Sequence, residues 1–457
     1  NADGTFTVIG LGSHDASILY IPETHNGKPV TAIGKMAFKN CTKLYSVHVP
    51  EGVTAIEDSA FLGCTHLAII ELPDSLVTVG SSAFEQCSAL VSVTLPEGVT
   101  AIGENAFRSC DKLKSMRIPA GVTSIEPYTF FYCSALTALV LEEGLLSIGQ
   151  SAFGYCTSLL TVELPASVTD IEKQAFQDCK ALTAVHIADL SAWCRITFGD
   201  RYANPLRYAR NLLVDGVQLQ ELVIPEGITS IDTHTFQNCA ITSLVVPSSV
   251  VTIHDGAFEN CKQLTHAMLR DGVTNLGTGV FNGCTSLISA TLPQTLEAIP
   301  AQTFAGCTSL LSLTVPGGVT AIGTSAFYGC SSLVTVTLPE GVDTIERYAF
   351  ANCVSLTSIQ IPEGVHELPE TAFQACLALT TIVLPRSLTV LTGYIFLNCN
   401  DITAIYYRGT AAEWDTVLFD YTGNAGFGEA TRYFYSETAP TEKGNYWHYV
   451  DGVPTAW

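Results

Sequence analysis

Apolar positions recur along this chain with a period of 23 residues, and within each period they alternate with polar ones. The stretch between Cys330 and Cys353 is a clean example. Leu333, Val336 and Leu338 are apolar, while Thr335 and Thr337 between them are polar and β-branched. Such period-two alternation predicts a half-buried strand. Val342 and Ile345 anchor a second short extended segment. Pro339 ends the first segment because it cannot donate to a ladder, and Glu340-Gly341 turns the chain. Residues 346–353 suit a short helical turn that carries Ala349 and Phe350 inward. One coil therefore reads strand, turn, strand, helical turn.

Fifteen Phe-x-x-Cys pairs mark the period, from Phe38 to Phe176 in a first block and from Phe236 to Phe396 in a second. Within a block the step is 23 or 22 residues; between Cys179 and Cys239 it is 60, which is two periods plus 14 residues. A fixed period of this size is the mark of a solenoid, which grows by adding coils. Parallel stacking repeats a coil every ~4.8 Å, so about sixteen coils give a rod or arc on the order of 75 Å long.

The unit L-x-x-V-x-L-P-x-x-V-x-x-I-x-x-x-A-F-x-x-C, running over roughly residues 18–407, resembles the BspA-like subclass of bacterial leucine-rich repeats. The resemblance implies a right-handed solenoid, mainly β with short helical turns, its coils stacked in parallel. It also implies a secreted or surface-attached bacterial protein, of a kind associated with adhesion to host matrix or to other cells.

The period breaks at the ends and in the middle. Residues 1–33 read as an N-terminal cap, with a strand at Thr5-Phe6-Thr7-Val8. A first solenoid block covers 34–188, and an insertion covers 189–220. There Asp189 is placed to N-cap a helix carrying Trp193, and Asn204-Pro205 offers a second cap. Asp215-Gly216 between apolar runs signals a hairpin. The insertion is expected to bulge from between two coils. A second block covers 221–407. The segment 408–457 is an aromatic C-terminal cap. It opens with a capping box, Thr410-Ala411-Ala412-Glu413, and Trp414 follows its cap by four residues, as Trp193 follows Asp189. The two segments read as related modules that seat a Trp against the solenoid. Tyr446 and Trp447 lie in the tail, which reads as a β cap over the last coil or as a sugar-stacking surface.

Composition narrows the function classes. The chain is 47% hydrophobic with a net charge of −22. A surface of that sign repels phosphate backbones and anionic lipid, so nucleic acid is excluded as a partner. No run of 18 apolar residues is present, so no membrane insertion is expected of this chain. It opens on Asn1 without a basic–apolar leader pattern and reads as a mature or trimmed form. An extracellular or cell-surface location follows from the resemblance alone.

Sixteen cysteines raise the question of disulfides or metal. Fifteen occupy one equivalent position per coil, so their side chains run parallel and their Cβ atoms stay too far apart to bridge. A ladder of buried free thiols is expected, and a linear stack does not supply a tetrahedral zinc site. Cys194 stands off the ladder and is expected beside Trp193. Ten histidines, from His14 to His448, fall into no metal or catalytic motif. His254-Asp255 and His366-Glu367 are sequence neighbours in turns, a poor basis for a triad. Asp200, Arg201, Arg207 and Arg210 in the insertion include no nucleophile–base pair. No enzyme, cofactor or metal is expected. The turns also carry Glu51, Glu97, Glu143, Glu226, Glu340 and Glu363. Stacked carboxylates could attract Ca²⁺, but other residues break the row, and it reads as solvated surface.

The outward rows of the first strand set vary from coil to coil. One row runs His48, Glu71, Thr94, Arg117, Val140, Glu163, His186, Val223, Val245, Met268, Thr291 and on through Thr337, Gln360, Val383 and Tyr406. The other is rich in Ser and Thr, as at Ser92, Ser289, Ser312, Thr335, Ser358 and Thr381. The apolar centre at Val223, Val245 and Met268 lies next to the insertion in sequence. Either the insertion covers it, the favoured expectation, or it stands open as a partner patch. Partner-binding candidates are therefore Trp193, Val223, Val245, Met268, Tyr446 and Trp447. The function expected is non-catalytic binding of a host or microbial protein or glycan by a monomer, with a structural spacer or stalk as the alternative.

Overall fold

The computed structural model describes residues 1–12 and 17–457; His14 lies outside them. The chain forms two compact units, Asn1–Leu219 and Gln220–Trp457. Each is a solenoid with two parallel ladders of short strands. In the first unit one ladder runs from Ile18–Tyr20 through Ser46–His48 and Ile69–Glu71 to Ala184–Ile187 and Asn211–Val214. The other runs from Phe6–Val8 through Lys28–Ile33 and Ala55–Ile56 to Thr197–Phe198. The second unit repeats this plan, beginning at Glu221–Val223 and at Ser230–Ile231.

Strand positions follow the alternation. In Thr335–Thr337 the valine is buried and both threonines are exposed. Its register is Ser312↔Thr335, Leu313↔Val336 and Thr314↔Thr337, so like stacks on like. Val342, Ile345, Ala349, Phe350 and Cys353 are all buried, at 3% exposure or less. Burying such a side chain is worth about 1.5–3 kcal/mol, and the pattern repeats in every coil.

The Phe-x-x-Cys segment is built differently from the helical turn expected. It is a run of overlapping turns with a left-handed residue two positions before the Phe and another two positions after it. Around Phe350 these are Tyr348 at φ 58° and Asn352 at φ 61°. The left-handed residues turn alternate N–H groups toward the neighbouring coil. Phe327 N–H donates to the Ala349 carbonyl and Gly329 N–H to the Ala351 carbonyl, both at 2.8 Å. The segment is therefore a third hydrogen-bonded ladder. An L-residue in this conformation costs about 1–2 kcal/mol unless it is Gly, or Asn or Asp with its short polar side chain. The position after the Phe is accordingly often Asn40, Gly63, Asn238, Asn260, Gly283, Gly306, Gly329, Asn352 or Asn398.

The cysteines complete this ladder. The Phe327 carbonyl accepts the Cys330 N–H at 3.1 Å from its own coil and the Cys353 thiol at 3.2 Å from the next. The same thiol-to-Phe-carbonyl bond recurs from Cys64 to Cys179 and from Cys261 to Cys399, at 3.0–3.3 Å. All sixteen cysteines are free. The Phe rings stack in register, with centroids 5.1–5.8 Å apart.

The insertion does not bulge. Thr197–Phe198 pairs with Asp170–Ile171, and Asn211–Val214 pairs with Ala184–Ile187, so residues 189–214 form one more, irregular coil. Asp189 caps the helix Leu190–Trp193, and the Asn204 side chain accepts the Leu206 N–H at the start of Leu206–Ala209. Asp215-Gly216 makes the expected hairpin, with Val217–Gln218 antiparallel to Asn211–Val214. The second unit ends on the same module. Thr410 and Glu413 form the capping box of Ala411–Trp414. Leu418–Phe419 and Thr431–Tyr435 then continue the two ladders. Phe427 extends the Phe stack beyond Phe396 at 4.7 Å. Both insertion and tail keep the ladders because an irregular loop on a solenoid end would strand backbone groups, whereas an irregular coil pairs them.

Two measurements test the thiol ladder. Cys353→Ala should lose about 1–2 kcal/mol of stability in urea unfolding, because the buried Phe327 carbonyl loses a donor and a void appears. Burial also raises the thiols; Cys64, Cys133 and Cys353 move from 9.0 to about 12. The folded state holds these protons after the unfolded chain has released them. Stability should therefore be intact below pH 9 and fall as pH rises from 9 toward 12.

Candidate binding surface

The outward face of the first ladder differs between the two units. In the first it is charged. His48 Nδ1 lies 2.6 Å from a Glu71 oxygen, and Arg117 pairs with Glu97 and, at 3.0 Å, with Glu142. In the second unit the face carries fewer charges, with Glu221 at its start and His266 two coils on. Val223, Val245, Met268 and Thr291 stand in register on adjacent strands. Val223 is 57% exposed and Met268 45%, with Val245 half-buried between them. These residues are surface, so the expectation that the insertion buries them is overturned. An isolated strand face carries no internal reason to be covered, and sequence adjacency to the insertion did not supply one.

A second apolar row lies on the next three coils, just ahead of their strands. Ile288, Leu311 and Val334 are exposed on successive coils and joined by backbone bonds, Leu311 N–H to Ile288 C=O at 3.3 Å and Val334 N–H to Leu311 C=O at 3.0 Å. Period-two reading misses them because they precede the strand, where the chain bends and the alternation does not yet hold. The signal present was position: they are the residues just after the buried Leu287, Leu310 and Leu333. Around both rows lie hydroxyls, at Ser289, Ser312, Thr335, Thr291, Thr314 and Thr337.

The face closes toward the C-terminus. Val383, read as outward, is only 3% exposed, because the neighbouring strand carries Tyr406 in register with it. Tyr406 stacks on Tyr433 at 5.0 Å and meets Trp447 edge-on at 5.3 Å. Trp447 is fully buried and its indole N–H donates to the Tyr407 carbonyl at 2.8 Å. Trp193 is likewise buried, beside Phe198 at 5.4 Å. Neither indole offers a ring face to solvent, so both tryptophans act as core. Tyr446 is half-buried in the strand Tyr446–Val450, and the tail is a β cap. Cys194 is buried next to Trp193, and burial pushes its thiol up to about 12.

The acidic turn row is exposed, as read, and several of its members also clasp the next coil. Glu51 accepts the Asp74 and Ser75 N–H groups of the next coil at 3.0 and 3.4 Å, and Glu143 accepts those of Ala166 and Ser167 at 2.9 and 3.2 Å. Glu363 accepts the Arg386 N–H at 2.9 Å. Among the described residues, no group of three His, Cys, Asp or Glu gathers as a metal would need. Arg408 bridges the end of this row to the tail, 3.3 Å from Glu340 and from Glu363, and it donates to the Tyr449 hydroxyl at 3.0 Å. Burial opposes the charge of Glu340. The Arg408 guanidinium and the Glu363 N–H outweigh it and hold that carboxyl below its usual range. Arg408→Ala should cost about 1–2 kcal/mol, allowing for the exposure of both carboxylates, and should speed hydrogen exchange in the strand Tyr446–Val450.

Among the described residues no helix is long and apolar enough to cross a membrane. The family described as BspA type leucine rich repeat region matches residues 19–137, 123–194, 214–330 and 297–425. A leucine-rich repeat protein from Bacteroides ovatus ATCC 8483 has a similar structure, 23% identical over 95% of this chain and 96% of that one, with a TM-score of 0.54. A leucine rich cell surface protein from Faecalibacterium prausnitzii A2-165 is 27% identical over 92% and 95%, with a TM-score of 0.43. The pneumococcal vaccine antigen PcpA is 18% identical over 94% and 92%, with a TM-score of 0.42. No curated protein matches the sequence. The chain belongs to the BspA-type leucine-rich repeat family.

Proposed function

We propose that this protein is a non-catalytic binding protein of a bacterial cell surface, and that the open face of its second unit docks a host or microbial protein. One observation carries the reading. Two exposed apolar rows, Val223–Val245–Met268 and Ile288–Leu311–Val334, lie on successive coils of a face with few charges, in a chain whose net charge is −22. Clustered exposed apolar surface is usually interaction surface. The hydroxyls around it provide hydrogen-bonding groups without the desolvation cost of charge.

The test is saturable binding of the chain to immobilised matrix proteins, glycans and whole bacterial cells, repeated with Val223→Glu, Met268→Glu and Leu311→Glu. Each substitution should weaken protein binding by about tenfold or more while the unfolding temperature stays the same, because a charge at an apolar contact is costly only when buried. Absence of saturable binding by the parent chain, or undiminished binding by the triple variant, would sink the reading.

A further inference from the structure

A cluster of aromatic rings stands on the Phe-x-x-Cys side of the first unit, away from any residue used above. Phe131 meets Tyr132 at 4.6 Å, Tyr155 at 5.4 Å and Tyr128 at 5.4 Å, each nearly perpendicular. Tyr132 and Tyr155 stack on each other at 4.6 Å. Arg108 lies over the Phe131 ring at 5.4 Å. Tyr132 is 44% exposed, and the other rings are half-buried.

Two independent features mark the cluster as built. Tyr132 and Tyr155 both sit at the left-handed position two residues after the Phe, with φ of 61° and 62°. Equivalent positions after the Phe hold Asn or Gly in most coils, which the backbone prefers. A bulky ring there is selected for its side chain and not for its backbone. Secondly, Gly154 stands where other coils carry side chains such as Arg108, Gln177 or Gln237. Its φ is not left-handed, but a Cβ there would lie 2.8 Å from the Phe131 ring. That glycine exists to seat the ring.

We infer that this cluster is a binding platform for a neutral saccharide. A pyranose presents an apolar C–H face to an aromatic ring and hydroxyls around its rim. The platform surrounds its rings with matching polar groups. The Gln150 amide donates to the Tyr128 hydroxyl at 3.1 Å, and Arg108 donates to the Asn105 side chain at 3.4 Å. Arg108 is the cation seen over these rings among the described residues, and the chain is acidic, so an anionic sugar is disfavoured. A polyproline segment needs a groove lined by aromatics. Here Phe131 stands at 80° to Tyr132 and 79° to Tyr155, and Tyr132 and Tyr155 close on each other, leaving a platform.

The experiment is an array of neutral, sialylated and sulfated oligosaccharides, followed by calorimetric titration of the strongest neutral one and of a decaproline peptide. Tyr132→Asn and Tyr155→Asn restore the residue used at Asn40, Asn238 and Asn352, so these variants should fold with an unchanged or higher unfolding temperature. Each should weaken neutral-sugar binding by about tenfold or more. Tyr348→Asn, which removes an exposed tyrosine of the second unit, should leave it unchanged. The inference is overturned if no neutral oligosaccharide binds at millimolar concentration, if the double variant binds as the parent does, or if only anionic sugars or decaproline bind. It shares no residue with the protein-docking face, so each can fail alone.

Discussion

One buried carbonyl in each coil sets the terms for the rest of the molecule. The Phe carbonyl faces inward, away from water, and it has two lone pairs to satisfy. The N–H of the Cys three residues later takes one, and the thiol of the next coil's Cys takes the other. A coil without its Cys leaves its neighbour's carbonyl short of a donor. The thiol is small enough to be buried, and it donates where an alanine could not. Phe and Cys are thus two ends of one inter-coil contact. The stacked rings and the bonds between left-handed turns bring successive coils together along the same edge.

With the interior satisfied the same way in each coil, the exposed positions are free to diverge. In the first unit they pair charges across strands, as at His48–Glu71 and around Arg117. In the second they are mostly apolar or hydroxyl-bearing until the aromatic tail closes over Val383 and Tyr406. Four of the acidic turn residues, Glu51, Glu143, Glu340 and Glu363, accept backbone N–H groups of the next coil. That engagement follows from the turn: its N–H groups point out of the ladder and need an acceptor. The same turn-and-clasp logic lets Arg408 tie the tail to Glu340 and Glu363.

Both units end on one module: a capped four-residue helix with a Trp, a strand in the second ladder, another short helix and a strand in the first. A solenoid end exposes an apolar cross-section and an unpaired strand edge. The module brings large side chains over that cross-section, Trp193 and Leu206 in one unit, Trp414 and Phe427 in the other. It then finishes with an antiparallel hairpin, which a plain coil cannot do. Burial of Trp193 follows from this capping role.

The sequence by itself determined the coil, its inward set, the free thiols, the caps at Asp189 and Thr410 and the hairpin at Asp215-Gly216, because each depends on local alternation, spacing or turn chemistry. It also located the apolar row at Val223, Val245 and Met268, but not its exposure. Only the tertiary structure decided the rest. Whether the insertion was a bulge or a coil depended on pairing with strands more than twenty residues away. The row Ile288–Leu311–Val334 and the rings around Phe131 are adjacent only after stacking, since each coil contributes one or a few members. The thiol's partner, the clasp of Glu51 and the burial of Val383 likewise join residues about one period apart. A repeat shows its period in one dimension, but what neighbouring coils do to each other is written across the stack.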